Sequence, residues 1–193
     1  MTPGVADLLR HGETQTPDIF RGWTDDPISK TGWQQMLSAV ADDHWDRIVS
    51  SPLSRCSEFA AHLGKKFGLN VEYDENFKEY NFGDWDGHTY EEVMADQGHL
   101  VTAFFQDPEK SPPPNGEDFS LFKHRVLTAW HAVLDESHLE KTLIISHGGV
   151  IMTVLADVMG VDRLHGKIEM SYACRTQLRL DQLGKRPRLI FHK

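Results

Sequence analysis

A chain of 193 residues with 39% hydrophobic and 25% charged side chains has the composition of an ordinary globular protein, long enough to bury a core as one domain. Its formal net charge of −9, with 20 basic and 29 acidic residues and no basic run, argues against nucleic acid or an anionic membrane as partner. No apolar run reaches membrane-spanning length, no basic-then-apolar leader opens the chain, and Cys56 and Cys174 make no disulfide framework, so a cytoplasmic location is expected.

Val5 to Leu9, apolar except for Asp7, reads as a short buried strand that stops at Arg10-His11-Gly12. Ser29 can cap a helix running to about Asp43, with Trp33, Leu37 and Val40 on its apolar stripe. Arg47 to Ser50 reads as a strand, and Ser51-Pro52-Leu53-Ser54 as a turn into a helix carrying Cys56, Ala60, Leu63 and Phe67 at helical spacing. Gly68 fits the end of that helix, and Val71 to Tyr73 a further short strand. Residues 77–88 form a structured aromatic loop, and Thr89 with Glu92 has the spacing of a capping box. Pro112-Pro113-Pro114-Asn115-Gly116 marks the stretch from Asp107 to Glu117 as loop.

A long helix follows near Asp118 to Asp135, with Phe119, Phe122, Val126, Trp130 and Val133 on one face. Thr142 to Ile145 is the clearest buried strand, and a helix restarts at Gly148 and runs to about Met159. Cys174 to Leu180 and Leu189 to Phe191 alternate like a hairpin at the sheet edge, with Gly184 in its turn. Strands alternate with helices, so the fold class is α/β with a mainly parallel sheet.

The residues at the strand-to-helix junctions carry the chemistry. Arg10 and His11 follow the first strand, Arg55 opens the helix after the second, and His147-Gly148-Gly149 follow Thr142 to Ile145. Two arginines and two histidines thus meet at one sheet edge, where open α/β folds bind ligands. Arginines grip a phosphate through paired donors, and amides at a helix start, here Gly148 and Gly149, add an anion site. A neutral histidine can attack phosphorus, and a second one, if protonated, can stabilise charge on the transferring oxygens. Glu79 can protonate a leaving alcohol and later deprotonate water.

Arg10-His11-Gly12-Glu13-Thr14, Ser50-Ser51-Pro52-Leu53-Ser54-Arg55, Glu79-x-x-Phe82-Gly83-x-Trp85-x-Gly87 and Ile145-Ser146-His147-Gly148-Gly149 resemble, in order, the motifs of the histidine phosphatase superfamily. That resemblance implies a three-layer α/β/α sandwich of the phosphoglycerate mutase type, spanning residues 1–193 as one domain, with residues 77–118 partly covering the site. It implies catalysis by His11, Glu79 and His147 through a phosphohistidine on His11. Arg10, Arg55 and Gly148 would bind the phosphate, with no metal or other cofactor.

The chain lacks the paired arginines that phosphoglycerate mutases carry before their proline run, which favours water as acceptor. The implied substrate is a small phosphate ester. Gly22 to Asp25, Phe82 to Gly87, Pro113 to Phe119 and Ile168 to Tyr172 resemble the branch that acts on alpha-ribazole 5′-phosphate in cobalamin assembly. A mutase, a broad sugar-phosphate phosphatase and a non-catalytic phosphate-binding module are the alternatives. A second copy of the chain, in a homodimer, is the candidate macromolecular partner.

Many relatives carry asparagine six residues after the nucleophile, where this chain has Pro17, so Thr14 or Arg21 would replace its contact. Thr14, Arg21 and Gly22 are the substrate-binding candidates, and loops 15–27 and 98–118 are expected to set specificity. Glu13 and Asp84 divide evenly between site and scaffold, and Arg55 could instead pair with Glu58. The remaining histidines, His124 and His131 included, show no metal-ligand spacing.

Overall fold

The computed structural model describes residues 4–136, 140–180 and 187–193. β1 (Gly4–Arg10) lies inside a six-stranded sheet of order β3-β2-β4-β1-β5-β6. The others are β2 (Arg47–Ser50), β3 (Val71–Tyr73), β4 (Lys141–Ser146), β5 (Arg175–Leu180) and β6 (Arg188–His192). β3, β2, β4 and β1 run parallel; β5 is antiparallel to both β1 and β6. The predicted hairpin is therefore present, while Gly184 lies outside the described residues.

Side-chain alternation sends Ala6 and Leu8 of β1, with Ile144 of β4, into one core, and Leu9, Leu143 and Ile145 into the other. Asp7, the polar break in β1, is fully buried but not bare. The Trp45 indole N–H (2.8 Å) and the Gln177 amide (3.1 Å) donate to it.

Helices close both faces, giving the three-layer α/β/α sandwich. α1 (Lys30–Ala39) and α2 (Ser54–Phe67) cover one core; α3 (Tyr90–Gln106), α4 (Phe119–Glu136) and α5 (Gly148–Met159) cover the other. Ser29 caps α1 by accepting from the Gly32 amide, and Thr89 and Glu92 form the reciprocal capping box of α3. α2 ends on Gly68 at φ +69°, as the sequence predicts.

Two boundaries differ from expectation. α1 stops at Ala39, not near Asp43. Asp42 and Asp43 would place negative charge at the negative end of the helix, and Asp43 instead reaches away to Lys141 and Arg175. Its buried stripe also centres on Met36, with Trp33 and Leu37 only half-buried. The expected loop 98–118 is helical as far as Gln106. Val101 and Phe104 are buried at helical spacing, and the chain bends at Gln97 (φ −131°, ψ 26°), which accepts the Trp85 indole N–H at 2.9 Å. No helix among the described residues is long and apolar enough to cross a membrane.

Candidate active site

Strand register alone brings the two histidines together. Arg10 of β1 pairs with Ser146 of β4 in a parallel ladder, so the next residues, His11 and His147, leave the sheet side by side. Their rings lie 5.3 Å apart, edge to face at 62°. β2 ends one strand further along, with Ser50 beside Ile145, which delivers Ser51 and the start of α2 to the same edge. Glu79 follows a 3₁₀ turn at Glu75–Phe77, after β3.

The hydrogen bonds assign both imidazole tautomers. The His11 Nδ1 is 2.8 Å from the Gly12 carbonyl, which can only accept, so Nδ1 carries the proton and the lone pair is on Nε2. Burial, then Arg55 and Arg10, hold the His11 pKa well below its ordinary value. His147 is the reverse tautomer. Its Nδ1 accepts from Arg55 Nε (3.2 Å), and its Nε2 donates to Ser51 Oγ (2.8 Å). Burial, followed by the Arg55 charge, also keeps it neutral. The sequence alone leaves a protonated His147 open; desolvation beside Arg55, Arg10 and Arg125 disfavours that proton.

Arg55 is fully buried and makes no ion pair with Glu58. Beyond His147 it donates from Nη1 to the Thr24 carbonyl (2.9 Å) and from Nη2 to the Gly22 carbonyl (2.6 Å). Asp86 completes the turn by accepting from the amides of Gly22 (3.2 Å), Trp23 (2.6 Å) and Thr24 (3.0 Å). Gly22 is required there, because a Cβ would sit 2.2 Å from the Tyr80 carbonyl oxygen. Gly22 therefore acts through its backbone, on Arg55. Arg10 donates from Nη1 to the Met170 carbonyl, and its guanidinium carbon stands 4.5 Å over the Tyr172 ring. Its Nε is buried and has no partner among the described residues.

Glu79 lies against the N-terminus of α5. Its Oε2 accepts from the Gly149 amide (3.0 Å) and its Oε1 from the Tyr80 amide (3.0 Å). The expected Gly148–Gly149 anion site is thus half taken by this carboxyl group, and a Cβ at Gly149 would fall 2.4 Å from Oε1. Gly148 remains beside Arg10, where a Cβ would come within 3.6 Å of Nε.

The first loop is organised by Asp26. It accepts from Arg21 Nε (2.8 Å), Thr16 Oγ1 (3.0 Å) and the Thr16 amide (3.3 Å). Arg21 is committed to this cluster, and its guanidinium is near enough to lower the His11 pKa as a minor contributor. Thr14 is buried on the Asp26 side. Pro17 is exposed and lines the outer cavity with Arg10, His11 and Arg21. Glu13 accepts from Ser29 Oγ (3.1 Å) and Asp84 from the Asn115 amide (3.0 Å), so both act as scaffold.

Arg125 is a residue that sequence reasoning missed. From the middle of α4 it donates to the carbonyls of Asn76 (2.8 Å), Lys78 (2.8 Å) and Glu79 (2.9 Å) while paired with Glu117 (2.6 Å). It fixes the backbone that carries Glu79. A single helical arginine between apolar positions gives no local signal of targets more than 40 residues away.

Among the described residues no group of three or more His, Cys, Asp or Glu side chains could hold a metal ion. Burial pushes the Cys56 thiol, close to His147, up to about 12, and Cys174 upward as well, so both stay protonated.

Residues 7–192 match the histidine phosphatase superfamily (branch 1), and the chain belongs to that family. It is 27% identical over 159 residues to the adenosylcobalamin/alpha-ribazole phosphatase of Escherichia coli (strain K12), covering 80% of this chain and 78% of that one. Among solved structures, Bacillus stearothermophilus YhfR superposes with a TM-score of 0.87 at 25% identity, over 96% of this chain and 95% of that one. A mycobacterial glucosyl-3-phosphoglycerate phosphatase superposes with a TM-score of 0.85 at 25% identity, over 97% of each chain. The protein is a phosphoric monoester hydrolase of the histidine phosphatase type. These relatives, of comparable similarity, are named as phosphatases of different esters, so the comparisons leave the alcohol open.

Proposed function

We propose that the chain hydrolyses a small phosphate monoester in two displacements at phosphorus. His11 Nε2 attacks, its N–P bond forms as the P–O ester bond breaks, and the proton of Glu79 goes to the leaving alcohol oxygen. Water then attacks the phosphohistidine, giving its proton to Glu79, and inorganic phosphate departs with His11 restored. Arg10, Arg55, His147 and the Gly148 amide hold the phosphoryl oxygens. An incoming dianion supplies the negative charge that raises the proton affinity of His147.

The observation that carries this reading is the His11 tautomer. The Gly12 carbonyl holds the proton on Nδ1, which leaves a neutral Nε2 nucleophile in the field of Arg55 and Arg10. No step calls for a metal. The candidate ester is alpha-ribazole 5′-phosphate, supported by the similarity to enzymes named for that activity and by the Gly22 and Phe82 loop motifs.

The test is phosphate release from alpha-ribazole 5′-phosphate, 3-phosphoglycerate and p-nitrophenyl phosphate, each with excess chelator. A kcat/KM for the ribazole ester at least tenfold above the others supports the assignment. Comparable turnover of all three retains the hydrolase and removes the ribazole substrate. Loss of all turnover in chelator overturns the metal-free mechanism.

A further inference from the structure

Arg55 is a buried guanidinium whose hydrogen bonds, among the described residues, go to the Thr24, Gly22 and Arg21 carbonyls and to His147, and none to a carboxylate. A carboxylate stands one peptide further out. Asp86 Oδ2 accepts from the Trp23 amide at 2.6 Å, and the carbonyl at the other end of that same peptide, on Gly22, accepts from Arg55 Nη2 at 2.6 Å. The preceding peptide repeats the pattern more loosely. Asp86 Oδ1 accepts from the Gly22 amide at 3.2 Å, and the Arg21 carbonyl accepts from Nη2 at 3.4 Å. The N–H and C=O of a planar trans peptide point in opposite directions, so both peptides bridge the carboxylate to the guanidinium. Hydrogen bonds in such a chain polarise one another, which makes these carbonyls better acceptors.

The turn is fixed at both ends. Asp86 ends the 3₁₀ turn Gly83–Trp85, and beside it the Gly87 amide donates to the Phe20 carbonyl (2.9 Å) and the Phe20 amide to the His88 carbonyl (2.9 Å). At the far end, Asp25 Oδ1 accepts from the Ser54 amide (2.7 Å), at the start of the helix that carries Arg55. All side-chain hydrogen bonds of Asp86 among the described residues go to the Gly22, Trp23 and Thr24 amides. Asp86 lines neither the outer cavity, about 810 Å³, which Arg10, His11 and Glu79 share, nor the inner one, about 310 Å³, which borders Gly148.

We propose that Asp86 is a positioning residue for Arg55, holding the Gly22–Thr24 turn so that the guanidinium meets the phosphoryl oxygens in one fixed orientation. The inference rests on the phosphatase reading above, in which Arg55 grips those oxygens. A fork ordered in advance spares the reaction the cost of ordering it. Arg55 serves the group that all phosphate esters share, so its misalignment costs every ester alike. The proton of Glu79 matters only to alcohols that leave poorly. The Trp23 indole N–H donates to the Glu79 carbonyl at 3.0 Å, so the same turn touches the acid loop, and the leaving group distinguishes the two routes.

The experiment is a double-mutant cycle on kcat/KM with ethyl phosphate and p-nitrophenyl phosphate. Asp86→Asn keeps the shape but turns one acceptor oxygen into an N–H donor facing an amide. It should lower kcat/KM by about tenfold or more, by the same factor for both esters, and weaken competitive inhibition by inorganic phosphate, on the scale of one charged hydrogen bond. Asp86→Glu, which returns the carboxylate one methylene further out, should recover part of the loss. In an Arg55→Met background Asp86→Asn should cost less than about twofold. A full loss persisting in that background overturns the proposal, and so does unchanged kcat/KM in Asp86→Asn. A loss confined to ethyl phosphate also overturns it, assigning Asp86 to Glu79 instead. If Asp86→Asn does not fold, Asp86→Glu carries the cycle: a loss that vanishes beside Arg55→Met is expected, and no loss or an additive one contradicts. Trapped phosphoenzyme separates the two levels. None in the wild type sinks the phosphatase reading too, whereas phosphoenzyme with an additive cycle sinks only the role of Asp86.

Discussion

In the proposed mechanism His11 and Glu79 divide one reaction between a nucleophile and a proton carrier, and the two roles respond differently to the leaving group. Glu79→Gln keeps the shape and one of the two amide contacts but removes the exchangeable proton. It is expected to lower kcat about 10²–10⁴-fold for an alkyl phosphate and far less for p-nitrophenyl phosphate, whose phenolate departs without a proton. Equal losses on both, in steady-state kinetics, would remove Glu79 as the acid. The placement of these residues at one edge was legible because each follows a short apolar strand or opens a named motif, and polar groups at strand ends are local patterns. The protonation state of His147 was not legible. It depends on burial and on Arg55 arriving from another strand.

At the scale of elements, α4 does more than cover the sheet. Arg125 clamps the Asn76, Lys78 and Glu79 carbonyls, so it positions the backbone of Glu79, the proposed acid. Arg125→Met should lower kcat for an alkyl phosphate by at least tenfold with little change in KM. The loss should shrink with p-nitrophenyl phosphate, following the Glu79→Gln pattern. A uniform loss across substrates would mean disturbed folding instead.

Most element positions were readable from period and caps, as at Ser29, Thr89 and Gly68. The misplaced ones failed for tertiary reasons. α1 is cut short by the ion pairs of Asp43, and 98–106 stays helical because Val101 and Phe104 pack into the core. Loop chemistry such as the Asp26 and Asp86 clusters joins residues whose pairing no local spacing announces.

The whole molecule couples its site to its stability through three histidines that burial keeps neutral. His11, His147 and His165 have folded pKa values below their unfolded one. As pH falls below about 6.5 the unfolded chain takes up protons that the folded chain does not, so unfolding becomes easier, with a slope of up to about 1.4 kcal/mol per pH unit for each histidine. Denaturant melts of the ligand-free protein should therefore show stability rising from pH 5 to 7, and a His11→Asn variant should show a shallower rise. An identical slope in the variant would place His11 outside this linkage.

The fold matters to function because register, not flexible loops, sets the two imidazoles 5.3 Å apart beside two arginines. The most direct test of the account is to quench the protein rapidly with excess phosphate ester and map the phosphoryl group by peptide mass spectrometry. The expected result is a phosphohistidine on His11 that forms faster than steady-state turnover and is absent from His11→Asn. Turnover with no phosphoenzyme, or a phosphoryl group on another residue, would contradict the mechanism.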